Sequence, residues 1–346
     1  MALRDVGVRA CLIAALLFGA GTPAAKFLLD TTGPWLLAGL LYLGSGVGLG
    51  LFRLIRRPER VHLERTDLAP LARAVVSGGL VGPVLLLVGL SHLPASGASL
   101  LLNAEGVFTA LLAWFVFKEN VDRRVAGGMI AIIAGAVLIT VPARVQFGSI
   151  WPSLAILGAC AAWAVDNNLT RKVALTDATW LAACKGLVAG PVNLLLAFVI
   201  GATLPPAGTI AATMVVGFFA YGLSLVLFIV GLRHVGTARA GAYFSVAPFF
   251  GATLAVILGD PLTWSLVAAA TLMALGIWLH LTERHQHQHH HAELTHDHWH
   301  GHDEHHRHEH AGSRVTPDRG HRHSHTHEAM THVHEHFPDS HHRHQH

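Results

Sequence analysis

A chain of 346 residues that is 52% hydrophobic, 13% charged and of mean hydropathy +0.47 is far from a soluble domain, where about a quarter of residues carry charge. The net charge of +3 hides a split, because 24 of the 28 histidines, 10 of the 21 acidic and 6 of the 24 basic residues lie after Thr282. The apolar body excludes a soluble enzyme, since it would expose more apolar surface than a monomer tolerates, and it equally excludes a wholly disordered chain.

About 20 apolar residues cross a hydrocarbon core of about 30 Å as a helix. Reading windows of that length between glycine, proline and charge clusters gives ten spans: about 8–29, 33–52, 70–91, 95–117, 122–141, 150–170, 178–201, 210–232, 237–259 and 263–281. The first has the look of a secretory signal, with Arg4 and Arg9 before an apolar stretch and small residues near Gly19–Ala25. Its apolar run continues past Lys26 to Leu29, however, so it reads as a retained span. Cys11, Cys160 and Cys184 all sit inside apolar runs and read as small buried side chains.

Orientation follows from lysine and arginine in the short loops. With the N-terminus cytoplasmic, fifteen basic residues fall on the inside, from Arg4 to Arg284, and only Arg144 on the outside. An even span count places both termini in the cytoplasm of a multi-pass protein of the cytoplasmic (inner) membrane.

The halves overlay without gaps at an offset of 142 residues. Gly89, His92, Ala98, Phe108, Ala110, Leu112 and Ala113 then meet Gly231, His234, Ala240, Phe250, Ala252, Leu254 and Ala255. Five spans per half is an odd number, so the second copy enters the membrane upside down. Inverted repeats of this kind build secondary transporters, with the substrate site near the midplane between them. The expected fold is all-α and integral to the membrane: ten transmembrane helices as two inverted five-helix repeats, 8–141 and 149–282. A disordered, cytoplasmic, His-rich metal-binding tail, 283–346, follows.

FGAGTPAAK (18–26) resembles the first-helix pattern of EamA-type proteins in the drug/metabolite transporter superfamily. LLLNAEGVFTALLAWFVFKE (100–119) is similar to that family's fourth-helix block, and WAVDNNLTRK (163–172) to the start of its second repeat. The resemblance covers roughly residues 8–282. It implies export of small solutes, often driven by protons, and no enzymatic activity. Gly106 stands where the family often has proline, and the second copy keeps Pro248 but has Ala247 in place of glutamate. The His-rich tail adds a likeness to the family's nickel- and cobalt-resistance exporters.

An ionisable residue in mid-membrane is costly and marks a functional candidate. Glu105, near the centre of the fourth span with Asn103 two residues before it, could bind a cation or exchange a proton, or could hydrogen-bond a neighbouring helix. Asp166, Asn167 and Asn168 form a second polar cluster, whose oxygens suit a divalent cation or a polar metabolite. The bland alternative is a helix end reaching the interface. Lys26 follows Pro23 and could counter Glu105 or Asp166, bind an anionic substrate, or snorkel outward. Lys185 is as ambiguous, and His92 and His234 fall at span ends. The small residues of GSGVGLG (44–50) and Gly127–Ala131–Gly135 read as helix-packing surfaces.

The tail repeats a His-x-His pattern, with His296, His298, His300 and His302, then His321, His323, His325 and His327, then His332, His334 and His336. Mobile imidazoles of this density suit Ni²⁺, Co²⁺ or Zn²⁺. At about four ligands per ion, 24 histidines hold on the order of six ions. Transport itself calls for no cofactor. The leading expectation is export of a divalent transition metal, nickel or cobalt before zinc, with the tail collecting ions. The alternative is export of a metabolite or amino acid with a metal-sensing or buffering tail. Lipid is the expected surrounding and nucleic acid is not a partner, while a homodimer stays open.

Overall fold

The computed structural model describes residues 6–56, 65–117, 123–140, 150–235, 240, 243–281, 286–291, 294–300, 321–327 and 330–335. Residues up to Glu283 form one compact unit and those from Arg284 a second.

In the first unit α1 (Val6–Leu29) and α2 (Pro34–Arg56) are followed by α3 (Arg65–Ala74), which runs through a π-helical segment, Val75–Val81, into α4 (Gly82–Leu90). Then come α5 (Ala95–Leu101), α6 (Ala104–Phe117), α7 (Arg123–Thr140) and α8 (Trp151–Val199). α9 (Ala207–Gly217) passes through a second π-helical segment, Phe218–Leu223, into α10 (Ser224–Val235). α11 (Ala247–Ile257) and α12 (Trp264–Leu281) complete the unit. Among the described residues six helical stretches are long and apolar enough to cross a membrane, and three shorter apolar helices accompany them. Large apolar side chains such as Leu16, Phe27, Ile130, Leu195 and Trp278 stand on the outside, a surface suited to lipid rather than water.

At 1.5 Å per residue, an unbroken helix of 49 residues would reach about 74 Å, more than twice the hydrocarbon thickness. α8 is not unbroken. Asp177 leaves helical geometry (φ −153°, ψ 87°), its Oδ1 accepts the Trp180 N–H at 2.8 Å, and a new helix starts. Asp177 Oδ2 also accepts from Arg53 Nη1 at 2.5 Å, tying this bend to the end of α2.

Between helices in lipid, close packing replaces the hydrophobic effect as the source of cohesion. The glycine-rich face of α2 lies on α8, where a Cβ at Gly186 would meet Gly46 Cα and N at 2.5 Å. α1 crosses α11 at Gly19 and Gly251, and α7 packs on α12 with Gly135 against Met273. Helices before residue 141 thus pack largely against helices after 149.

Two irregularities recur at one spacing. The π-helical segments begin at Val75 and Phe218, 143 positions apart. Helix breaks fall at Leu102–Asn103 and at Ser245–Val246, again 143 apart. The span expected at about 95–117 thus contains a helix break, and Ala95–Leu112 within it is long and apolar enough to cross a membrane. The Asn103 amide donates to Leu100 O at 3.0 Å, a side-chain bond to local backbone that competes with the helical ladder. Pro248 lacks the N–H that a continuous helix would use at the second break.

In the second unit β1 (Gln286–His291) pairs antiparallel with β4 (Met330–Glu335), and β2 (Leu294–His300) with β3 (His321–His327). The described residues of this unit are extended and paired. The His-x-His alternation has the period of two that an extended ladder shares, which a count of polar residues does not register.

Candidate functional site

The polar centre of the body is built around the first π-helical segment. A π-helical turn shifts backbone partners from their regular positions and leaves carbonyls for other groups. Gly78 O accepts the Tyr42 hydroxyl at 2.7 Å and Trp163 Nε1 at 3.0 Å, and Gly79 O accepts Asn193 Nδ2 at 3.0 Å. Ser77 Oγ donates to Ala162 O at 2.6 Å. α2 and both arms of α8 thus converge on one short stretch of α3–α4. Position 78 accepts only glycine, because a Cβ there would run into the Asp166 carboxylate.

Asp166 and Asn167 are neighbours on α8 and point about 100° apart, as successive helical residues do. Asp166 faces the second arm of its own helix, where Lys185 Nζ donates to Oδ1 at 2.5 Å and Oδ2 at 2.7 Å. The side chains are 7% and 15% exposed, so this is a largely desolvated ion pair. Asn167 turns instead to α6, where its Nδ2 donates to Glu105 Oε1 at 2.7 Å. The break at Leu102–Asn103 puts Glu105 in the first turn of α6, where unpaired backbone N–H groups attract a carboxylate.

The other sequence candidates lie elsewhere. Asn103 is buried and its amide is 3.6 Å from Met273 Sδ, turned to α12. Asn168 Nδ2 donates to Ala164 O of its own helix at 2.8 Å. Lys26 Nζ donates to Leu90 O at 2.7 Å and Ser91 O at 3.3 Å, placing its charge at the carbonyl end of α4. His92 stacks edge-on against Trp151 with centroids 4.6 Å apart, and His234 Nδ1 is 2.8 Å from Val230 O.

Tyr42, Trp163, Gly78, Asn193 and the pairing of Lys185 were missed by sequence reasoning. From Tyr42 an aromatic chain runs across the body. Its ring centroids lie 6.0 Å from Tyr42 to Tyr221, 6.0 Å from Tyr221 to Phe18, and 5.5 Å from Phe18 to Phe244. A cleft of about 150 Å³ between Leu93–Gly97 and Pro261–Leu266 shares no residue with this centre. At its rim Asp260 Oδ2 accepts the Ser96 N–H at 2.8 Å.

In the tail the register sets His296, His298 and His300 opposite His325, His323 and His321, and His332 and His334 opposite His289 and His287. His327 faces Leu294. His302 and His336 lie outside the described residues.

An uncharacterised transporter of Methanothermobacter thermautotrophicus is 26% identical over 296 residues, 79% of this chain and 85% of that protein. A probable amino-acid metabolite efflux pump of Salmonella typhimurium is 28% identical over 204 residues, 55% of this chain and 68% of the pump. One protein of known crystal structure superposes with a TM-score of 0.60 at 18% identity, over 79% of this chain and 95% of its own, which shows a shared fold. The profile of the EamA-like transporter family matches residues 5–141 and again 150–282. With those two matches spanning most of the sequence, the chain belongs to the EamA-like transporter family.

Proposed function

We propose that the protein is a secondary exporter of the cytoplasmic membrane that moves a small amino-acid-type metabolite outward in exchange for protons. Its body is read as ten spans in two inverted five-helix repeats, with both termini cytoplasmic. The hydrogen bond from Asn167 to Glu105 carries this reading. It joins a carboxyl group at a helix break in the first half to a polar side chain of the second half. A proton taken up by Glu105 weakens its hold on the amide and loosens the two halves; its loss restores the bond. Helix breaks and π-helical segments at matched positions suit halves that rock about a central site. The Salmonella relative supplies the substrate class.

Inside-out vesicles carrying the full chain should accumulate labelled amino acids when their interior is made acidic, and an uncoupler should abolish the uptake. Uptake no greater than in vesicles without the protein overturns the reading. A reporter that is active only outside the cytoplasm, fused after Thr282, should stay silent; strong activity reverses the orientation.

The tail favours a second reading, in which the exported solute is Ni²⁺, Co²⁺ or Zn²⁺. Its 24 histidines fall on the cytoplasmic side in the proposed topology and raise the local ion concentration by tethering. Removing residues 285–346 separates the two. Nickel and cobalt tolerance falls if metal is the cargo, whereas amino-acid uptake by the vesicles is unchanged if it is not.

A further inference from the structure

We propose that Asp166 and Lys185 are the substrate's docking point and select a zwitterion: Lys185 takes its carboxylate and Asp166 its ammonium group. In this structure the two side chains hold one another in the substrate's place. The proposal rests on the exporter reading and names the residues that recognise the cargo.

The pair does no work as a strut between the halves. Both partners belong to α8, one on each side of the bend at Asp177. Burying two charges costs more than their attraction returns unless the geometry is very good, and an apolar pair of similar volume commonly holds such a site as well. A desolvated ion pair inside an apolar body is therefore a functional candidate in its own right.

Charge balance then dictates what can open it. A zwitterion exchanges one ion pair for two, so every buried charge keeps a partner. A ligand with only an ammonium group takes Asp166 from Lys185 and leaves the lysine charge buried, and one with only a carboxylate takes Lys185 from Asp166 without replacing its charge. Either costs far more than the pair it replaces. The carrier without cargo can close again, because the two residues neutralise each other.

The surroundings fit this use. Tyr42 and Trp163 spend their donors on Gly78 O, and Asn168 spends its amide on Ala164 O. The bare backbone of Gly78 lies directly against the Asp166 carboxylate, where any side chain would intrude. Tyr42 is also the first ring of the chain through Tyr221 to Phe18, an apolar wall for the cargo's side chain. Finally, Asn167 follows Asp166 in the same turn of α8. A movement of that turn acts on both the Asp166–Lys185 pair and the Asn167–Glu105 bond. Cargo entry and proton exchange are thereby linked through two consecutive residues.

The test uses the purified full chain and ligand protection against thermal unfolding, with three probes of one shape. These are L-leucine, L-leucinamide (ammonium only) and 4-methylpentanoate (carboxylate only), with the alanine and phenylalanine series beside them. In at least one series the amino acid should protect at concentrations about tenfold or more below those of its single-charge analogues, a difference of one decade in affinity. Lys185→Gln should erase the preference for amino acid over amide, and Asp166→Asn the preference over the deaminated acid. A folded double variant, Asp166→Asn with Lys185→Gln, should rank the three probes alike. Equal protection by all three probes of every series on the parent chain, or ratios unmoved in the variants, overturns the proposal. Proton-driven uptake without any zwitterion preference would sink the docking point alone and leave the exporter standing. Preference retained in Glu105→Gln while uptake is lost supports both, since recognition and coupling then separate.

Discussion

Glu105→Gln leaves the protein at its normal level in the membrane and lowers proton-driven transport by roughly 100-fold, the scale of losing one positioned proton-transfer group. Glutamine keeps the shape of the side chain and can still accept from the Asn167 amide. It cannot carry a proton. Glu105 stands within an apolar segment, where a bare carboxylate is costly, so it pairs, hydrogen-bonds or protonates. In the structure it does the second, at the start of α6 and facing the other half of the molecule. The measurement is acid-inside uptake in vesicles matched for protein content by immunoblot. Uptake equal to that of the parent makes Glu105 structural and moves the coupling to Asp166.

Much of this was legible beforehand, for a simple reason. Apolar windows at 8–29 and 33–52 coincide closely with α1 and α2, because a helix in lipid satisfies its own backbone and little else competes. Glu105, Asp166 and Asn167 stood out because polar groups in such windows are costly. Their partners did not stand out. Asp166 pairs with Lys185 nineteen positions on, which the sequence does not announce, since the bend at Asp177 folds α8 back on itself. Asn103 looked like a companion of Glu105 because it is two residues away; the helix break turns it to Met273 instead. The π-helical segments left no mark in hydropathy, which averages over a turn. Tyr42, Trp163 and Asn193 matter because the first of those segments offers carbonyls to them, and that is a tertiary fact.

Gly186→Val should remove most of the folded protein from the membrane. A Cβ at this position would stand 2.5 Å from both Cα and N of Gly46 and 2.6 Å from Tyr42 O. These are backbone atoms, which cannot rotate aside as a side chain can, so α2 and α8 must part along their contact. Overpacking commonly costs about 1–3 kcal/mol, and a branched side chain forced between two backbones falls at or beyond the upper end. No hydrophobic gain offsets it, since the displaced surfaces meet lipid as readily as each other. Gly208→Ala is the control: nothing lies within 4 Å of a Cβ there, so level and unfolding temperature should match the parent. Gly186 also follows Lys185 directly. The close approach of α2 fixes the arm of α8 from which Lys185 reaches Asp166, and it holds Tyr42 against Gly78. Whatever Gly186→Val protein survives should therefore also lose its preference for amino acid over amide. A variant that folds to the parent's level with that preference intact would show that the α2–α8 contact neither holds the body together nor positions the ion pair.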